Sequence, residues 1–251
     1  MKSLAGRRAL ITGGSRGIGA ATAVLFAEMG THVAIGYRSR KEHADKVVRQ
    51  ARSAGVNAHA IAADISERAG AEKLVESAAA LLGGLDFFVG NSGIWIPEEA
   101  PLSQMTDEQW RRTMRENVDS VFYSTRAATR VLADRGRIVL VSSTAGQRGE
   151  ANHADYAASK GAMISLVKSL CVELAKRDIT VNCVAPGWVY TEMAAKPYAD
   201  GGRERIAAGI PLGRVADARD IAGPIVFLCS SLARHITGEV VNVNGGSVLP
   251  G

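Results

Sequence analysis

The sequence predicts an α/β fold, a doubly wound parallel sheet with helices on both faces. Short apolar segments alternate with helical segments almost to the end of the 251 residues. The strand-like segments are apolar throughout rather than at every second position. Strands that are apolar on both faces are typical of a parallel sheet covered by helices on both sides. No break in composition divides the chain, so we expect a single domain over residues 1–251.

The first half of the chain alternates strand and helix. The predicted strands are 9–11, 32–35, 57–62 and 85–89, each a short apolar segment. The predicted helices are 20–29, which is rich in alanine, 42–54, which is charged and amphipathic, and 69–82. Gly55 and Gly83-Gly84 follow the second and third helices, and glycine is the residue that most often ends a helix.

The second half continues the same alternation. A helix is predicted to begin at Thr106, which is followed by two acidic residues, and to continue to about Ala133. Further helices are predicted over 155–177 and 217–229, and further strands over 137–141, 179–184 and 239–243. In sheets of this class ligands bind at the carboxyl ends of the strands. The residues that follow each strand are therefore the candidates for a functional site.

The first predicted strand ends in a glycine-rich turn, Thr12-Gly-Gly-Ser-Arg-Gly-Ile-Gly19. The following helix presents unpaired N–H groups and the positive end of its dipole at this turn. A phosphate can approach these groups only where no Cβ blocks its path, which favours glycine at positions 13, 17 and 19. The turn therefore predicts a Rossmann-type dinucleotide site, and an ordinary strand-to-helix loop is the alternative for the turn taken alone.

The residues after the second strand indicate which dinucleotide is bound. A turn that prefers NAD usually has an acidic residue about 20 positions beyond the glycines, which holds the ribose 2′-hydroxyl. Arg38 stands at this place instead, between Tyr37 and Ser39, and Arg16 lies in the glycine turn. Guanidinium groups bind phosphate oxygens in pairs. The sequence therefore predicts NADP(H), and Arg40 is interpreted as a surface residue.

A candidate catalytic group follows the fifth strand. Ser142-Ser143 ends this strand, and Tyr156 and Lys160 come 13 and 17 residues after Ser143. Residues four apart share one face of a helix, so both side chains can reach the same space. A free phenol has a pKa of about 10, and a nearby ammonium lowers it towards the range useful for acid-base chemistry. Ser143 is placed to donate a hydrogen bond to a substrate carbonyl.

Together these motifs resemble the short-chain dehydrogenase/reductase family over essentially the whole chain. The shared motifs are the glycine turn, Asp64, Asn91-Ser-Gly93, Asn117, Ser143, Tyr156-x-x-x-Lys160, Pro186-Gly187 with Thr191, and Asn242-Val-Asn-Gly-Gly246. The resemblance implies hydride transfer between NADP(H) and a ketone or secondary alcohol, with Tyr156 as general acid/base and Ser143 polarising the carbonyl. It also implies that Lys160 lowers the Tyr156 pKa and binds the nicotinamide ribose. Asn117 would hold a water in a proton relay, and Thr191 would contact the carboxamide.

The resemblance also implies the extent of each subsite. The expected cofactor residues are Gly13, Ser15, Arg16, Gly17, Ile18, Gly19, Tyr37, Arg38, Ser39, Asp64, Ile65, Asn91, Ser92, Gly93, Tyr156, Lys160, Pro186, Gly187, Val189 and Thr191. The expected substrate residues are Ser143, Trp95, Arg148, His153 and Trp188, and the segment 144–152 is expected to line the pocket. The polar stretch 194–210 is expected to form a lid over the site. No metal site is expected.

Within the family the chain is most similar to 3-oxoacyl-acyl-carrier-protein reductases, but the substrate stays open. Those enzymes tend to carry basic residues before the fifth strand for docking the acidic carrier. Here residues 132–135 include an acid, Asp134, while Arg177 matches a basic position. A sugar, steroid-like or polyketide ketone is the alternative. A non-catalytic dinucleotide-binding regulator would lack Ser143, Tyr156 or Lys160, and an extended-type epimerase or dehydratase would have a different glycine spacing.

Composition limits the partners and the cellular location that we expect for the protein. The chain is 47% hydrophobic and 22% charged, and its net charge of +5 is spread along the sequence, so we expect no nucleic-acid partner. Three cysteines without paired spacing argue against a disulfide framework. The first residues lack the apolar core of a signal peptide, and no apolar segment could span a bilayer, so we expect a cytoplasmic protein without membrane contact. The helices 106–133 and 155–177 resemble those of a four-helix subunit interface, which implies a homotetramer.

Overall fold

A computed structural model describes residues 2–249 of the chain. Its strands are β1 (Arg8–Ile11), β2 (His32–Tyr37), β3 (Ala58–Ala62), β4 (Leu85–Gly90), β5 (Leu132–Val141), β6 (Thr180–Pro186), β7 (Val189–Tyr190), β8 (Ala216–Asp217) and β9 (Val240–Val243). Seven of them form a parallel sheet in the order β3-β2-β1-β4-β5-β6-β9, and β7 pairs with β8. The order reverses between β1 and β4, which opens a crevice at the carboxyl ends of these strands.

Helices cover both faces of this sheet. They are α1 (Gly17–Glu28), α2 (Lys41–Ser53), α3 (Arg68–Leu82), α4 (Asp107–Met114), α5 (Ser120–Val131), α6 (Ala145–Arg148), α7 (Ala154–Glu173), α8 (Ala195–Tyr198), α9 (Gly202–Ala208) and α10 (Ala218–Cys229). Short 3₁₀ turns lie at Lys2–Leu4, Ala175–Arg177, Glu192–Ala194 and Ser231–Ala233. Within residues 2–249, no helix combines the length and the apolar character that crossing a bilayer requires.

The core consists of two apolar layers, one on each face of the sheet. On one face α1, α2 and α10 pack against strand residues that include Ile11 and Ile35. On the other face α3, α5 and α7 pack against residues that include Leu10 and Leu140. Leu10 and Ile11 are neighbours on β1 and both are fully buried, on opposite faces. The predicted fold class, with strands apolar on both sides, is confirmed.

Three predicted elements, two helices and strand β5, have different bounds, and the predicted lid stretch has its own secondary structure. The helix predicted over 106–133 is divided by a π-helical turn at Arg115–Asp119, and Leu132 and Ala133 belong to β5. Strand β5 begins early because the buried Leu132 pairs with Leu85 on β4. The helix predicted over 155–177 ends at Glu173, and the chain turns at Asp178 with a left-handed φ of 53°. The stretch 194–210 is largely helical, with Gly201 at φ 72° between α8 and α9.

An ion-pair cluster around the buried Asp86 carboxylate joins the amino ends of β1 and β4. The Asp86 side chain, only 5% exposed, accepts hydrogen bonds from Arg8 Nε at 2.7 Å, from the Arg8 backbone N–H at 3.0 Å and from Arg7 Nη1 at 3.1 Å. Burial alone would raise the pKa of Asp86, but the hydrogen bonds and charges of Arg8 and Arg7 outweigh it and lower the pKa. Because the folded pKa is depressed, this stabilisation is present above the unfolded pKa of about 4 and is lost as the pH falls through the folded value.

We therefore expect Asp86→Asn to lower the free energy of unfolding near neutral pH by about 1.5–3 kcal/mol, the range for hydrogen bonds to charged groups. The deficit relative to wild type should shrink below about pH 4. Urea unfolding at both pH values measures this, with Asp107→Asn at an exposed helix start as the control. Equal stability of Asp86→Asn and wild type near neutral pH would contradict the role assigned to this carboxylate.

Candidate active site

A cleft of about 620 Å³ lies along the carboxyl ends of the sheet strands. It is lined by the glycine turn after β1 and by the residues that follow β2, β3, β4, β5 and β6. All the predicted site residues line it except Gly19, Asn117 and His153. The structure thus brings together residues from across the chain at the crevice where the strand order reverses.

The glycine turn leaves the start of α1 open to the cleft. Gly13 and Gly17 have positive φ values of 62° and 54°, which L-residues with a side chain rarely adopt. A Cβ on Gly19 would instead collide with the carbonyl oxygen of Gly13, so Gly19 is needed for the close packing of the turn and not for access to it. Helix α1 begins at Gly17 without a side-chain cap. Its N–H groups therefore fit an anionic group such as a diphosphate.

Asn91 holds this turn against the end of β4. Its Nδ2 donates to the carbonyl oxygens of Thr12 and Gly13 at 3.1 and 3.2 Å, and its backbone N–H donates to Thr12 Oγ1 at 3.0 Å. Ser92 donates its backbone N–H to the same hydroxyl at 3.1 Å. Asn91 and Ser92 thus hold the glycine turn through one side-chain amide and two backbone N–H groups.

The two arginines predicted to bind a 2′-phosphate are both paired with carboxylates. Arg38 Nη1 donates to both oxygens of Glu116, at 2.8 and 2.9 Å, and lies 3.8 Å from Asp64. The hydrogen bond with Glu116 raises the pKa of Arg38. Arg16 Nη1 donates to Glu192 at 2.7 Å, and both of these side chains are about half exposed. The arginines line the cleft as predicted, but no sequence motif indicated either carboxylate partner.

The candidate catalytic side chains converge beside these groups. Lys160 is buried, and its Nζ donates to the Val141 carbonyl at 3.0 Å. Ser142 Oγ donates to the Lys160 carbonyl at 2.7 Å, so that α7 is fixed against β5 at two points. Burial lowers the pKa of Lys160 to about 8. Ser143 Oγ accepts a hydrogen bond from the Ala145 N–H at 3.1 Å, which leaves its own proton free to be donated.

The pKa of Tyr156 departs from the prediction. Burial raises the pKa of this phenol to about 12, and a hydrogen bond with Ser143 only partly offsets the effect. The predicted lowering by Lys160 is not found in this structure, because the ammonium is engaged by the Val141 carbonyl, 5.7 Å from the centre of the tyrosine ring. Tyr156 is therefore a protonated phenol at neutral pH, and it lines the same cleft as Ser143. Such a group can donate a proton to an oxygen bound between them.

Asn117 lies behind the site and not in the cleft. It is fully buried within the π-helical turn. Its Oδ1 accepts from the Ile94 N–H at 2.7 Å, and its Nδ2 donates to the Ile94 carbonyl at 2.9 Å and to Ser159 Oγ at 3.0 Å. The side chain thereby ties the segment after β4 to α7, the helix that carries Tyr156 and Lys160.

The predicted substrate residues differ in position. Trp95, Trp188 and the exposed Arg148 line the cleft, whereas His153 is buried behind Trp95. The cleft also contains the carboxyl group of Glu150, within the segment 144–152 that is predicted to line the pocket, and burial raises the pKa of this carboxyl group. Glu150 lies six residues before Tyr156, and no sequence motif marked it.

Arg177, predicted to match a carrier-docking position, is occupied within the chain. Its Nε donates to Asp134 at 2.8 Å and its Nη1 donates to the Thr129 carbonyl at 2.8 Å. Its Nη2 donates to the Leu132 carbonyl. The guanidinium group thus stabilises the junction of α5 and β5.

Comparisons with known proteins place this geometry among oxidoreductases. A family model described as enoyl-(acyl carrier protein) reductase matches residues 13–247. An uncharacterized oxidoreductase of Methylorubrum extorquens is 40% identical over 248 residues, which cover 98% of this chain and 99% of that protein. A 3-oxoacyl-acyl-carrier-protein reductase of Staphylococcus aureus is 37% identical over 96% of this chain and 97% of its own. The crystal structure of a short-chain dehydrogenase from Burkholderia cenocepacia in complex with NADP is 36% identical, covers 98% of this chain and 99% of that chain, and superposes with a TM-score of 0.90.

Proposed function

The chain belongs to the short-chain dehydrogenase/reductase family of oxidoreductases, and from this premise we propose that it interconverts a ketone and a secondary alcohol with NADP(H). The observation that carries the proposal is that Ser143, Tyr156 and Lys160 line the same cleft as the glycine turn. We retain the single domain over residues 1–251 and the cytoplasmic location as predictions from the sequence.

The chain offers complementary groups for three parts of NADP(H): the diphosphate, the 2′-phosphate and the nicotinamide end. The open start of α1 at Gly17 fits the diphosphate, and Arg38 and Arg16 fit the 2′-phosphate. Lys160 and Thr191 line the cleft where the nicotinamide end would lie. When bound, the nicotinamide supplies or accepts the hydride. The NADP in the Burkholderia cenocepacia relative supports this choice of cofactor.

The protein's own task is to orient the ketone and to supply the proton. Ser143, fixed by the Ala145 N–H, donates its proton to the carbonyl oxygen and polarises it. Tyr156 donates its proton to the same oxygen as negative charge develops there. We propose that Asn117 and Ser142 act as positioning residues, because their hydrogen bonds fix α7 relative to β4 and β5.

The proposal is tested by a screen of ketones with NADPH and NADH, followed through the absorbance of the reduced nicotinamide. We expect oxidation of NADPH that depends on the ketone and yields an alcohol. Binding of NADPH without oxidation by any ketone of the screen would favour the non-catalytic regulator instead.

The raised pKa of Tyr156 predicts how the two directions of the reaction depend on pH. Oxidation of an alcohol needs the phenolate as base, and the pKa of about 12 means that its fraction rises with pH throughout the neutral and alkaline range. The rate of oxidation should therefore increase by up to about tenfold per pH unit below about pH 8, while reduction, which uses the phenol, stays nearly constant until Lys160, with its pKa of about 8, loses its proton. Initial rates in both directions between about pH 6 and pH 10 measure this. An oxidation rate that falls with rising pH below about pH 8 would contradict the role of Tyr156 as base.

A 3-oxoacyl group on an acyl-carrier protein is a second candidate substrate, favoured by the Staphylococcus aureus relative. The engagement of Arg177 by Asp134 and two carbonyl groups removes one basic side chain that could dock an acidic carrier. A free small ketone therefore fits the described surface better.

We also propose a homotetramer, because α5 and α7 expose apolar side chains at Phe122 and Val172. Closed symmetric assembly would bury such residues. Light scattering should give the mass of a tetramer at micromolar concentration, and Phe122→Glu should reduce it. Leu81→Glu, at an exposed position on α3, is the matched control. A monomeric wild type would contradict the proposed assembly.

A further inference from the structure

Two tryptophans form a corner in the cleft near Tyr156. Trp95 follows β4 and Trp188 follows β6, and both side chains line the cleft. Their ring centres are 6.1 Å apart, and their planes are nearly perpendicular, at 85°. We call this pair the indole corner.

Each indole is supported from behind by another ring. Trp95 stacks on the imidazole of His153 at 4.9 Å and 24°, and His153 is only 5% exposed. Trp188 packs against Tyr198 at 5.9 Å, and the Tyr198 hydroxyl donates to the Val189 carbonyl at 3.0 Å. The corner is therefore a preorganised wall and not a pair of loose surface rings.

The lining of the cleft is mixed, with the charged side chains of Arg148, Glu150 and Arg205 beside apolar ones. Met193, Ala194, Ile206 and Ile210 contribute to its lining. Two fixed, perpendicular ring faces favour a flat, rigid group over a flexible chain. A ring can make one offset-stacked and one edge-on contact there, and each such contact contributes about two- to tenfold to binding beyond the area it buries. A linear acyl chain gains no such contact and loses more conformational freedom on binding.

We propose that the substrate is a free ketone that carries a flat ring, aromatic or fused alicyclic, next to its carbonyl group. The proposal rests on the proposed ketone reduction and specifies its substrate class. Trp95 and Trp188 hold the ring, while Ser143 and Tyr156 bind the carbonyl oxygen. The occupied Arg177 agrees with a substrate that no carrier delivers.

The kinetic test compares acetophenone with 2-octanone, an open-chain ketone of equal carbon count, with NADPH as the reductant. We expect kcat/KM to be at least about tenfold higher for acetophenone. Trp95→Leu and Trp188→Leu keep an apolar side chain but remove the ring, and they should lower this value about tenfold for acetophenone and less than about twofold for 2-octanone. Trp110→Phe changes a tryptophan on α4 outside the cleft lining and should alter neither. Equal or better use of 2-octanone by the wild type would overturn the proposal.

A binding measurement separates this inference from the proposed function. In the Trp110→Phe variant the remaining tryptophans are Trp95 and Trp188. Titration with 1-phenylethanol should change their fluorescence saturably, while 2-octanol should leave it nearly unchanged. Such binding without reduction of any ketone would refute the proposed function and keep the ring site. Reduction of both ketones at equal kcat/KM would refute the ring site and keep the function, and equal fluorescence responses to the two alcohols would also refute the ring site.

Discussion

Replacing Tyr156 by phenylalanine is expected to lower the rate of ketone reduction by about 10²–10⁴-fold, the usual contribution of a positioned acid or base. The substitution keeps the partly buried ring and its packing but removes the proton that we propose is donated to the developing alkoxide. The Ser143 hydroxyl remains to polarise the carbonyl, which is why some activity should persist. Steady-state reduction with NADPH measures the loss.

The cofactor affinity separates this effect from a structural one. Tyr156→Phe should bind NADPH nearly as well as wild type in a fluorescence titration, because the tyrosine lies away from the groups that fit the phosphates. Lys160→Ala should weaken NADPH binding and also lower the rate, because Lys160 is assigned to the nicotinamide ribose as well as to the site. Tyr123→Phe on α5, outside the cleft lining, is the matched control. Near-normal turnover by Tyr156→Phe would mean that another group supplies the proton.

Replacing Arg38 by aspartate should shift the cofactor preference from NADPH towards NADH. A charge-assisted hydrogen bond is worth about 1.5–3 kcal/mol, so the affinity for NADPH should fall by about 10- to 150-fold. The added carboxylate would also lie near Glu116 and Asp64, where it repels a 2′-phosphate. Titration with NADPH and with NADH measures both affinities.

Two further variants separate the causes of this shift. Arg38→Ser removes the guanidinium without adding a charge, and should lose NADPH affinity without gaining NADH affinity. Glu116→Gln weakens the competing partner of Arg38, and should leave NADPH affinity equal or higher. Arg49→Ala, at an exposed position on α2 outside the cleft lining, is the control. Turnover of the wild type with NADH that equals or exceeds that with NADPH would contradict the predicted preference.

The sequence predicted those features that local pattern determines. Apolar segments such as Leu85–Gly90 marked the strands because both of their faces are buried. The glycine turn and the Tyr156/Lys160 spacing marked the cleft because each is a short-range constraint on one loop or one helix face. The resemblance to a known family added the roles of individual residues, which remain proposals here.

Contacts between residues far apart in the sequence could not be predicted from the sequence. Glu116 is 78 residues from Arg38, and Glu192 is 176 residues from Arg16, so no spacing could indicate either ion pair. Whether the pKa of Tyr156 is raised or lowered depends on the burial of the phenol and on the position of the Lys160 ammonium. The face of a helix alone determines neither of these. Arg177 matched a basic position, but only the fold shows that Asp134 already binds it.

Product analysis with an α,β-unsaturated ketone tests most directly whether Ser143 and Tyr156 act on a carbonyl oxygen. Such a substrate offers both a C=O and a C=C bond to the same reductant. We expect NADPH to be oxidised with formation of the allylic alcohol, in equal amounts, because hydride transfer to the carbonyl carbon leaves an alkoxide that Tyr156 protonates. The saturated ketone as product, which is the outcome that the enoyl reductase family description would suggest, would contradict carbonyl reduction at this site.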